Sequence, residues 1–330
     1  SAQLGQGHRY NIGLSLISLG NNLSPINLSS TESILTMQAN EFTTCAVLSN
    51  NKLKCWGRDY YGSRGTGDSL IGDVPSDMGA NLTTIDHGSH ANFKEINSQT
   101  YVTCGLNTDD KLACWGYGGE GGRASGNGSS YGHIPAHWGD NLDFVDFGTG
   151  RTVKDFDISY RGGCAVLDND AVACWGRNDN GQCGVGNTGD RGDNNSELGD
   201  NFVFTDLGSV STPVQVSKGP SHSCARFTNG KVKCWGNNTY GQLGIGNTTQ
   251  KGDGGGEMGD SLPFIDLGTG ISSTDICSGN VYNCSLFDNN KVKCWGHANR
   301  IASGTTTNHI GDLGAELGDN LSFLDFGAGR

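Results

Sequence analysis

Apolar residues along the chain occur in short runs separated by turn residues, a pattern that predicts many short strands. In a representative segment, residues 224–227 and 231–235 flank a turn at residues 228–230. A three-residue hairpin loop usually ends in a residue with positive φ, which Gly, Asn and Asp tolerate best. Five copies of this hairpin carry such a residue at the last loop position, namely Asn51, Asp110, Asp170, Gly230 and Asn290. The pattern therefore predicts five β-hairpins with one register.

Two sequence markers repeat about every sixty residues. Cys-Trp-Gly begins at Cys55, Cys114, Cys174, Cys234 and Cys294, in steps of 59, 60, 60 and 60 residues. Gly-Asp-Asn-Leu or a near variant begins six times, at Gly20, Gly79, Gly139, Gly199, Gly259 and Gly318. The extra second marker indicates that the chain opens within a repeat, and Gln3 aligns with Gln242. We predict a single repeat domain over residues 1–330, with one N-terminal half repeat (1–30) and five complete repeats (31–88, 89–148, 149–208, 209–268 and 269–330).

The regular cysteines face each other across the predicted hairpins. This register places their Cα atoms about 4.5 to 5.5 Å apart, a distance that a disulfide accepts. Zinc knuckles need closer ligand pairs, which the sequence lacks. We predict five disulfides, Cys45–Cys55, Cys104–Cys114, Cys164–Cys174, Cys224–Cys234 and Cys284–Cys294, with buried free thiols as the alternative.

Two cysteines, Cys183 and Cys277, fall outside the repeat pattern. Cys183 replaces the leucine found at Leu243, and Cys277 replaces Ser217. They could pair with each other, stay free or bridge to a partner chain. The even total of 12 cysteines favours pairing.

Composition and charge restrict the function classes. The 54 glycines disfavour long helices, and the net charge of -12 repels phosphate backbones, so we expect no nucleic-acid partner. No run approaches the roughly 20 apolar residues of a membrane span. Residues 1–7 lack the features of a signal peptide, so the sequence is expected to be that of a mature soluble chain.

Residues 224–244 combine Cys-Trp-Gly with Gly-Gln-Leu-Gly and resemble the repeat of the regulator of chromosome condensation family. With the tail at residues 256–268, the chain is similar to the cysteine-bearing form in secreted proteins of bacteria and protists. The resemblance covers essentially the whole chain. It implies an all-β fold, a β-propeller of four-stranded blades, with six units in this chain where seven blades are usual. It also implies inter-blade packing for Trp56, Trp115, Trp175, Trp235 and Trp295, and Trp138 is expected in the core.

Other motifs suggest modification and ion binding. Candidate N-glycosylation sites are Asn22, Asn27, Asn81, Asn127, Asn194, Asn237, Asn247 and Asn320, and Asn283 is the weakest sequon because Cys284 follows it. The acidic loop at residues 179–193 could bind calcium, although its spacing matches no EF-hand. No other cofactor is expected. Arg191-Gly-Asp193 matches an adhesion tripeptide, but the repeat itself demands the Gly-Asp pair.

The sequence contains no recognisable catalytic constellation. We therefore expect a non-enzymatic binding or structural module, secreted or at the cell surface, that presents loops to a protein, a glycan or a like chain. Alternatives are guanine nucleotide exchange, as the family namesake performs, and an enzyme with its site at the propeller axis. Unpaired strand edges could support self-association. Residues 1–30 are expected to pack as β-structure against the last repeat or an adjacent protomer.

Overall fold

A computed structural model describes residues 2–8, 21, 23–28, 31–66, 70–85, 87–90, 92–301 and 309–327. These residues form five antiparallel sheets, one for each complete repeat, which we call blades 1 to 5. The strands are β1 (Ile34–Ala39), β2 (Thr43–Leu48), β3 (Leu53–Arg58) and β4 (Leu70–Ile71) in blade 1; β5 (Phe93–Gln99), β6 (Val102–Asn107) and β7 (Leu112–Gly116) in blade 2; β8 (Val153–Ser159), β9 (Gly162–Leu167) and β10 (Val172–Gly176) in blade 3; β11 (Pro213–Lys218), β12 (His222–Phe227) and β13 (Val232–Gly236) in blade 4; and β14 (Ser273–Ser278), β15 (Tyr282–Phe287) and β16 (Val292–Gly296) in blade 5.

The fourth strand of each blade is much shorter than the other three. In blade 1 it is the two-residue strand β4, and in the other blades it is an isolated bridge to the glycine of Cys-Trp-Gly. The four bridges are Gly116 to Tyr131, Gly176 to Arg191, Gly236 to Lys251 and Gly296 to Ile310. These glycines have φ between 95° and 114°, so the chain leaves the extended conformation there and pairing stops.

Short 3-10 turns, and no α-helix, accompany the sheets in the described part of the chain. The turns are Pro75–Asp77, Gly79–Asn81, Gly88–His90, Gly119–Gly121, Pro135–His137, Gly139–Asn141, Asn195–Glu197, Gly199–Asn201, Gly259–Ser261, Ala298–Arg300, Gly314–Glu316 and Gly318–Asn320. Among the described residues, no helix has the length and apolar character needed to cross a membrane.

The chain divides into two compact units. The first comprises Ser1–Gly119 and Asn127–Val145, and contains blades 1 and 2. The second comprises Glu120–Gly126 and Asp146–Arg330, and contains blades 3 to 5. The single repeat domain inferred from the sequence stays a prediction.

The hairpin loops have the conformation that their sequences predict. The last loop residue has positive φ in all five hairpins: 62° at Asn51, 60° at Asp110, 67° at Asp170, 71° at Gly230 and 61° at Asn290. The register then sets the first cysteine of each hairpin directly opposite the second. Each of the five predicted pairs is disulfide-bonded, with Cα atoms 4.0 to 4.1 Å apart.

Three of the five disulfides lie in a hydrophobic core that also contains the tryptophan of another blade. In the first unit, Cys45 and Cys55 of blade 1 share a core with Trp115 of blade 2. In the second unit, Cys224 and Cys234 share a core with Trp295. Cys164 and Cys174 pack in the same way with Trp235. These three disulfides therefore stabilise their hairpins and also contribute apolar surface to the packing of neighbouring blades.

The indole of every Cys-Trp-Gly motif donates a hydrogen bond to a main-chain carbonyl one repeat earlier in the chain. The acceptors are the carbonyl oxygens of Gln3, Ser63, Gly122, Gln182 and Gln242, and the Nε1 to oxygen distances run from 2.9 to 3.3 Å. All five indoles are fully buried. Inter-blade packing of these tryptophans, as the resemblance implies, is therefore observed in both units. Trp138 is also buried.

The N-terminal half repeat packs against blade 1. Lys54 Nζ donates to the carbonyl oxygens of Leu28 (2.7 Å) and Gly79 (3.2 Å). Lys233 makes the equivalent bonds to Leu207 and Gly259. The described part of residues 1–30 contains no strand, so the prediction of β-structure is wrong for these residues. They contact blade 1 through main-chain carbonyls of loop residues instead. Gly20 and Asn22 lie outside the described residues.

Candidate binding surfaces

Five aromatic side chains form a partly exposed surface cluster on the first unit. This tyrosine patch consists of Phe42, Tyr60, Tyr61, Tyr101 and Tyr117, whose ring centroids lie 4.7 to 6.4 Å from their neighbours. Most of the ring pairs meet edge to face, the arrangement that the aromatic quadrupole favours. Tyr61 is the most exposed member at 52%.

Loops at one end of the strands bring the patch together. Phe42 and Tyr101 precede the second strands of blades 1 and 2, while Tyr60, Tyr61 and Tyr117 follow the third strands. Tyr61 has a φ of 58°, a left-handed conformation that is unusual for an aromatic residue. The guanidinium of Arg58 lies 4.5 Å from the Tyr60 ring centroid, a cation–π contact. The patch thus combines aromatic area, hydroxyl groups and one positive charge.

The second unit carries a polar pocket at the same repeat positions. Its volume is about 430 Å³, and its lining residues are Tyr160, Arg177, Asp179, Asn180, Pro220, Ser221 and Asn280. Arg177 occupies the position of Arg58 and Tyr117, and Asp179 occupies that of Tyr60. Arg177 and Asp179 form an ion pair with a 2.6 Å contact. Burial opposes ionisation of Asp179, but hydrogen bonds from Gln182 and Arg177 prevail and lower its pKa.

One pair of repeat positions makes the contact between successive loops in both units. In the first unit this contact joins the rings of Tyr61 and Tyr117, with centroids 5.1 Å apart. In the second unit it is an amide hydrogen bond of 3.0 Å from Asn237 to Asn180. A further copy joins Tyr240 and His297, with centroids 4.7 Å apart. The same two repeat positions are therefore in contact each time, while the side chains that make the contact vary between aromatic and polar along the chain.

Two histidines come together beside a tyrosine in the second unit. His297 and His309 lie 4.9 Å apart beside Tyr240, a grouping that sequence spacing did not indicate. No group of three or more His, Cys, Asp or Glu side chains that could hold a metal ion is found in the described part of the chain. In the loop proposed for calcium, Asp179 pairs with Arg177 and Asp190 accepts the Asn178 amide at 2.9 Å.

The arginine of Arg191-Gly-Asp193 is engaged within the fold. Arg191 Nη1 lies 2.8 Å from Glu197 Oε1, and both side chains are about one-fifth exposed. The Gly192 amide donates to the second oxygen of Glu197 at 2.9 Å. This pairing favours a structural role for the tripeptide.

Most described sequon asparagines are on the surface. Asn27, Asn81, Asn127, Asn194, Asn247 and Asn320 are exposed, and Asn237 is half-buried. Asn283 is fully buried, and its side-chain amide donates to the Gln242 carbonyl at 2.7 Å. Its low rank among the sequons thus has a structural basis.

The two irregular cysteines do not pair with each other. Both are free: Cys183 is buried and Cys277 is exposed. The pairing favoured by an even count is therefore wrong. Cys183 occupies a leucine position in the core of blades 3 and 4, and burial raises the pKa of its thiol to about 11. Cys277 lies on β14.

This chain is a β-propeller repeat protein, as its five sheets, its sixty-residue repeat and the tryptophan contacts between successive repeats show. The repeats are similar to the regulator of chromosome condensation (RCC1) repeat, whose family model matches residues 36–63 and 214–242. The ultraviolet-B receptor UVR8 of Arabidopsis thaliana is 26% identical over 207 residues, which cover 61% of this chain and 41% of the receptor. The chain thus spans less than half the length of that relative.

Solved structures support the same fold. Human WBSCR16 superposes with a TM-score of 0.68 at 14% identity, covering 93% of this chain and 72% of its own. Prp20p of Saccharomyces cerevisiae, whose structure was described with its binding to Gsp1p and histones, gives a TM-score of 0.59 at 15% identity, with coverages of 86% and 62%. At these identities the likeness concerns the fold alone.

Proposed function

We propose that the chain is a non-enzymatic scaffold that binds a protein partner through the loops at one end of its blades. We also propose that it works in an oxidising compartment, either secreted or at the cell surface. The observation that carries this proposal is the tyrosine patch mounted on disulfide-bonded blades. Tyr and Arg are enriched at protein interfaces and dominate their binding energy. The tyrosine patch, with Arg58 stacked on Tyr60, presents both Tyr and Arg on disulfide-bonded blades.

The disulfides support the choice of compartment. Ten cysteines are paired in five short hairpins, and persistent disulfides form in oxidising compartments but are rare in the cytosol. Each bond closes a short loop and contributes about 2 to 3 kcal/mol in the chain-entropy model. Such stabilisation suits a scaffold that works outside the cell.

A binding screen with matched variants tests the role of the patch. The purified chain is probed against an array of purified secreted proteins and cell-surface ectodomains, alongside a glycan array. The patch variant carries Tyr61→Ser and Tyr117→Ser. The control variant carries Val210→Ser and Leu313→Ser, two exposed apolar residues at 69% and 60% exposure outside the patch.

The expected result is a protein ligand whose Kd rises about tenfold or more with the patch variant and is unchanged with the control, as for interface hot spots. Ligands that bind both variants equally would contradict the patch as the binding surface. Binding to glycans alone, or self-association alone, would overturn the choice of a protein partner. Accelerated release of GDP from a purified small GTPase would overturn the non-enzymatic assignment.

A further inference from the structure

Three cysteines lie side by side on the three strands of blade 5. Cys277 on β14 is directly opposite Cys284 on β15, and Cys284 is directly opposite Cys294 on β16. Cys284 and Cys294 form the disulfide of this blade. Residues directly opposite in antiparallel strands project from the same face of the sheet. A free thiol therefore adjoins an existing disulfide.

This arrangement is unique to blade 5 among the five blades. The residue opposite the first disulfide cysteine is Gln38 in blade 1, Asn97 in blade 2, Asp157 in blade 3 and Ser217 in blade 4. In blades 3 and 4 that side chain bonds to the following blade: Asp157 accepts from Ser217 Oγ at 3.1 Å, and Ser217 Oγ accepts from the Ser278 amide at 2.8 Å. The position carries a thiol in blade 5 alone.

The blade 5 disulfide is also the most accessible. Nine of the ten disulfide cysteines are buried, with at most 4% exposure, and the tenth, Cys284, is partly exposed. Cys277 itself is exposed. The one disulfide cysteine that a thiol could approach is thus the one beside the free thiol.

The spacing across the strands suits a bond between Cys277 and Cys284. The Gly279 amide donates to the Tyr282 carbonyl, so Cys277 and Cys284, two residues further in, form a hydrogen-bonded pair with Cα atoms about 5.5 Å apart. Disulfides accept Cα distances of roughly 4.4 to 6.8 Å. Cys277 and Cys294 are two strand spacings apart, about 10 Å, and are too distant to bond directly.

We propose that blade 5 is a thiol–disulfide exchange site in which Cys284 exchanges its disulfide partner between Cys294 and Cys277. The Cys277 thiol loses its proton, and the thiolate sulfur attacks Cys284 Sγ. A Cys277–Cys284 bond forms as the Cys284–Cys294 bond breaks, and the electron pair leaves on Cys294 Sγ, which takes up a proton. The exchange consumes no oxidant or reductant and always leaves one free thiol.

The surroundings of Cys277 set the pH dependence of this exchange. Partial desolvation and the carboxylates of Asp275, on its own strand, and Asp157, on β8, raise the pKa of the Cys277 thiol, against an opposing contribution from the Cys284 amide. The thiolate is the attacking species, so the exchange rate should rise about tenfold per pH unit until the thiol has ionised.

Acid quenching and peptide mapping test the proposal on the full chain. The protein is incubated without oxygen or added thiol at pH 7, 8 and 9, quenched with acid, alkylated and digested without reduction. A Cys277–Cys284 peptide should accumulate together with alkylated Cys294, faster at higher pH, while the other four disulfides stay intact. An unchanged Cys284–Cys294 bond after prolonged incubation at pH 9, or Cys277 bonded to another chain, would overturn the proposal.

Two single variants separate geometry from reactivity. In Cys294→Ser, Cys277 and Cys284 remain free and adjacent, so oxidised glutathione should join them. In Cys284→Ser, the matched control with the same disulfide removed, Cys277 and Cys294 should not join because the middle strand separates them. Circular dichroism checks that both variants fold. Failure of Cys294→Ser to form the bond while folded, or equal bonding in both variants, would count against the site.

Discussion

Trp56 Nε1 donates a hydrogen bond of 2.9 Å to the carbonyl oxygen of Gln3, and both atoms belong to the first compact unit. The same bond recurs at the other four Cys-Trp-Gly motifs, each with an acceptor one repeat earlier. Thr44 Oγ1 donates to the same Gln3 carbonyl at 2.9 Å. The N-terminal half repeat therefore supplies to blade 1 what a complete repeat supplies elsewhere.

Removal of residues 1–8 should destabilise the first unit. The deletion removes the acceptor of the Trp56 indole together with Gly5, which packs against the same indole nitrogen, and a net hydrogen bond contributes about 0.5 to 1.5 kcal/mol. We expect a lower Tm by scanning calorimetry. Trp56→Phe should cost less in the deleted chain than in the full chain, whereas Trp115→Phe should cost the same in both. Equal costs of Trp56→Phe in the two backgrounds would show that the Gln3 bond is not responsible.

Acidification should destabilise the second unit through His222. This side chain is fully buried, its Nε2 lies 2.9 Å from Asn283 Oδ1, and burial lowers its pKa to about 4, with Lys218 adding to the effect. The folded-state pKa lies below the ordinary value of 6.5, so the unfolded state binds the proton more readily between pH 6.5 and 4. The free energy of unfolding should therefore fall by about 3 kcal/mol across this range.

Urea denaturation at pH 7, 5.5 and 4 measures this effect. Carboxylates also titrate in the same range, so the informative quantity is the difference between the wild type and His222→Asn. That difference should shrink as the pH falls. The exposed His133 provides the control, and His133→Asn should keep the wild-type dependence. Parallel curves for the wild type and His222→Asn would exclude His222 as the source.

Thiol counting should report one accessible thiol in the native chain and two after denaturation. Five disulfides leave two free cysteines, of which Cys183 is buried and Cys277 is exposed. Cys277→Ser should therefore remove the native signal, and Cys183→Ser should remove only the signal that appears in denaturant. A larger native count would mean that some hairpins are reduced.

Glycan occupancy should follow exposure when the chain is secreted from a eukaryotic cell. Asn247 is exposed and should be occupied, while the buried Asn283 should not be. Intact-mass measurement should show the loss of one glycan in Asn247→Gln and no loss in Asn283→Gln. A glycopeptide containing Asn283 would contradict the structure around His222.

The hairpins could be predicted from the sequence because their register depends on local residues. A loop residue that tolerates positive φ fixes each turn, and the turn fixes which cysteines face each other. The sequence also aligned Gln3 with Gln242, and in the structure both carbonyls accept from a buried indole, a role that the alignment alone does not reveal. These features repeat, so each copy supports the others.

The binding surfaces could not be predicted in the same way. The members of the tyrosine patch lie in four loops between residues 42 and 117, and their proximity depends on how blades 1 and 2 pack. Pairing of Cys183 with Cys277 was inferred from an even count, which contains no information about position. Their separate locations, in a core and on β14, decided the outcome.

The indole hydrogen bonds between successive repeats affect how the binding loops of this chain can change in sequence. Each buried indole bonds to a main-chain oxygen, which every amino acid provides, and the residues that supply it are as different as Gln3, Ser63 and Gly122. The indole hydrogen bond itself therefore places no demand on side-chain identity at these positions. New recognition chemistry can arise in the adjoining loops by point substitution, one repeat at a time, while the architecture that carries them is inherited intact.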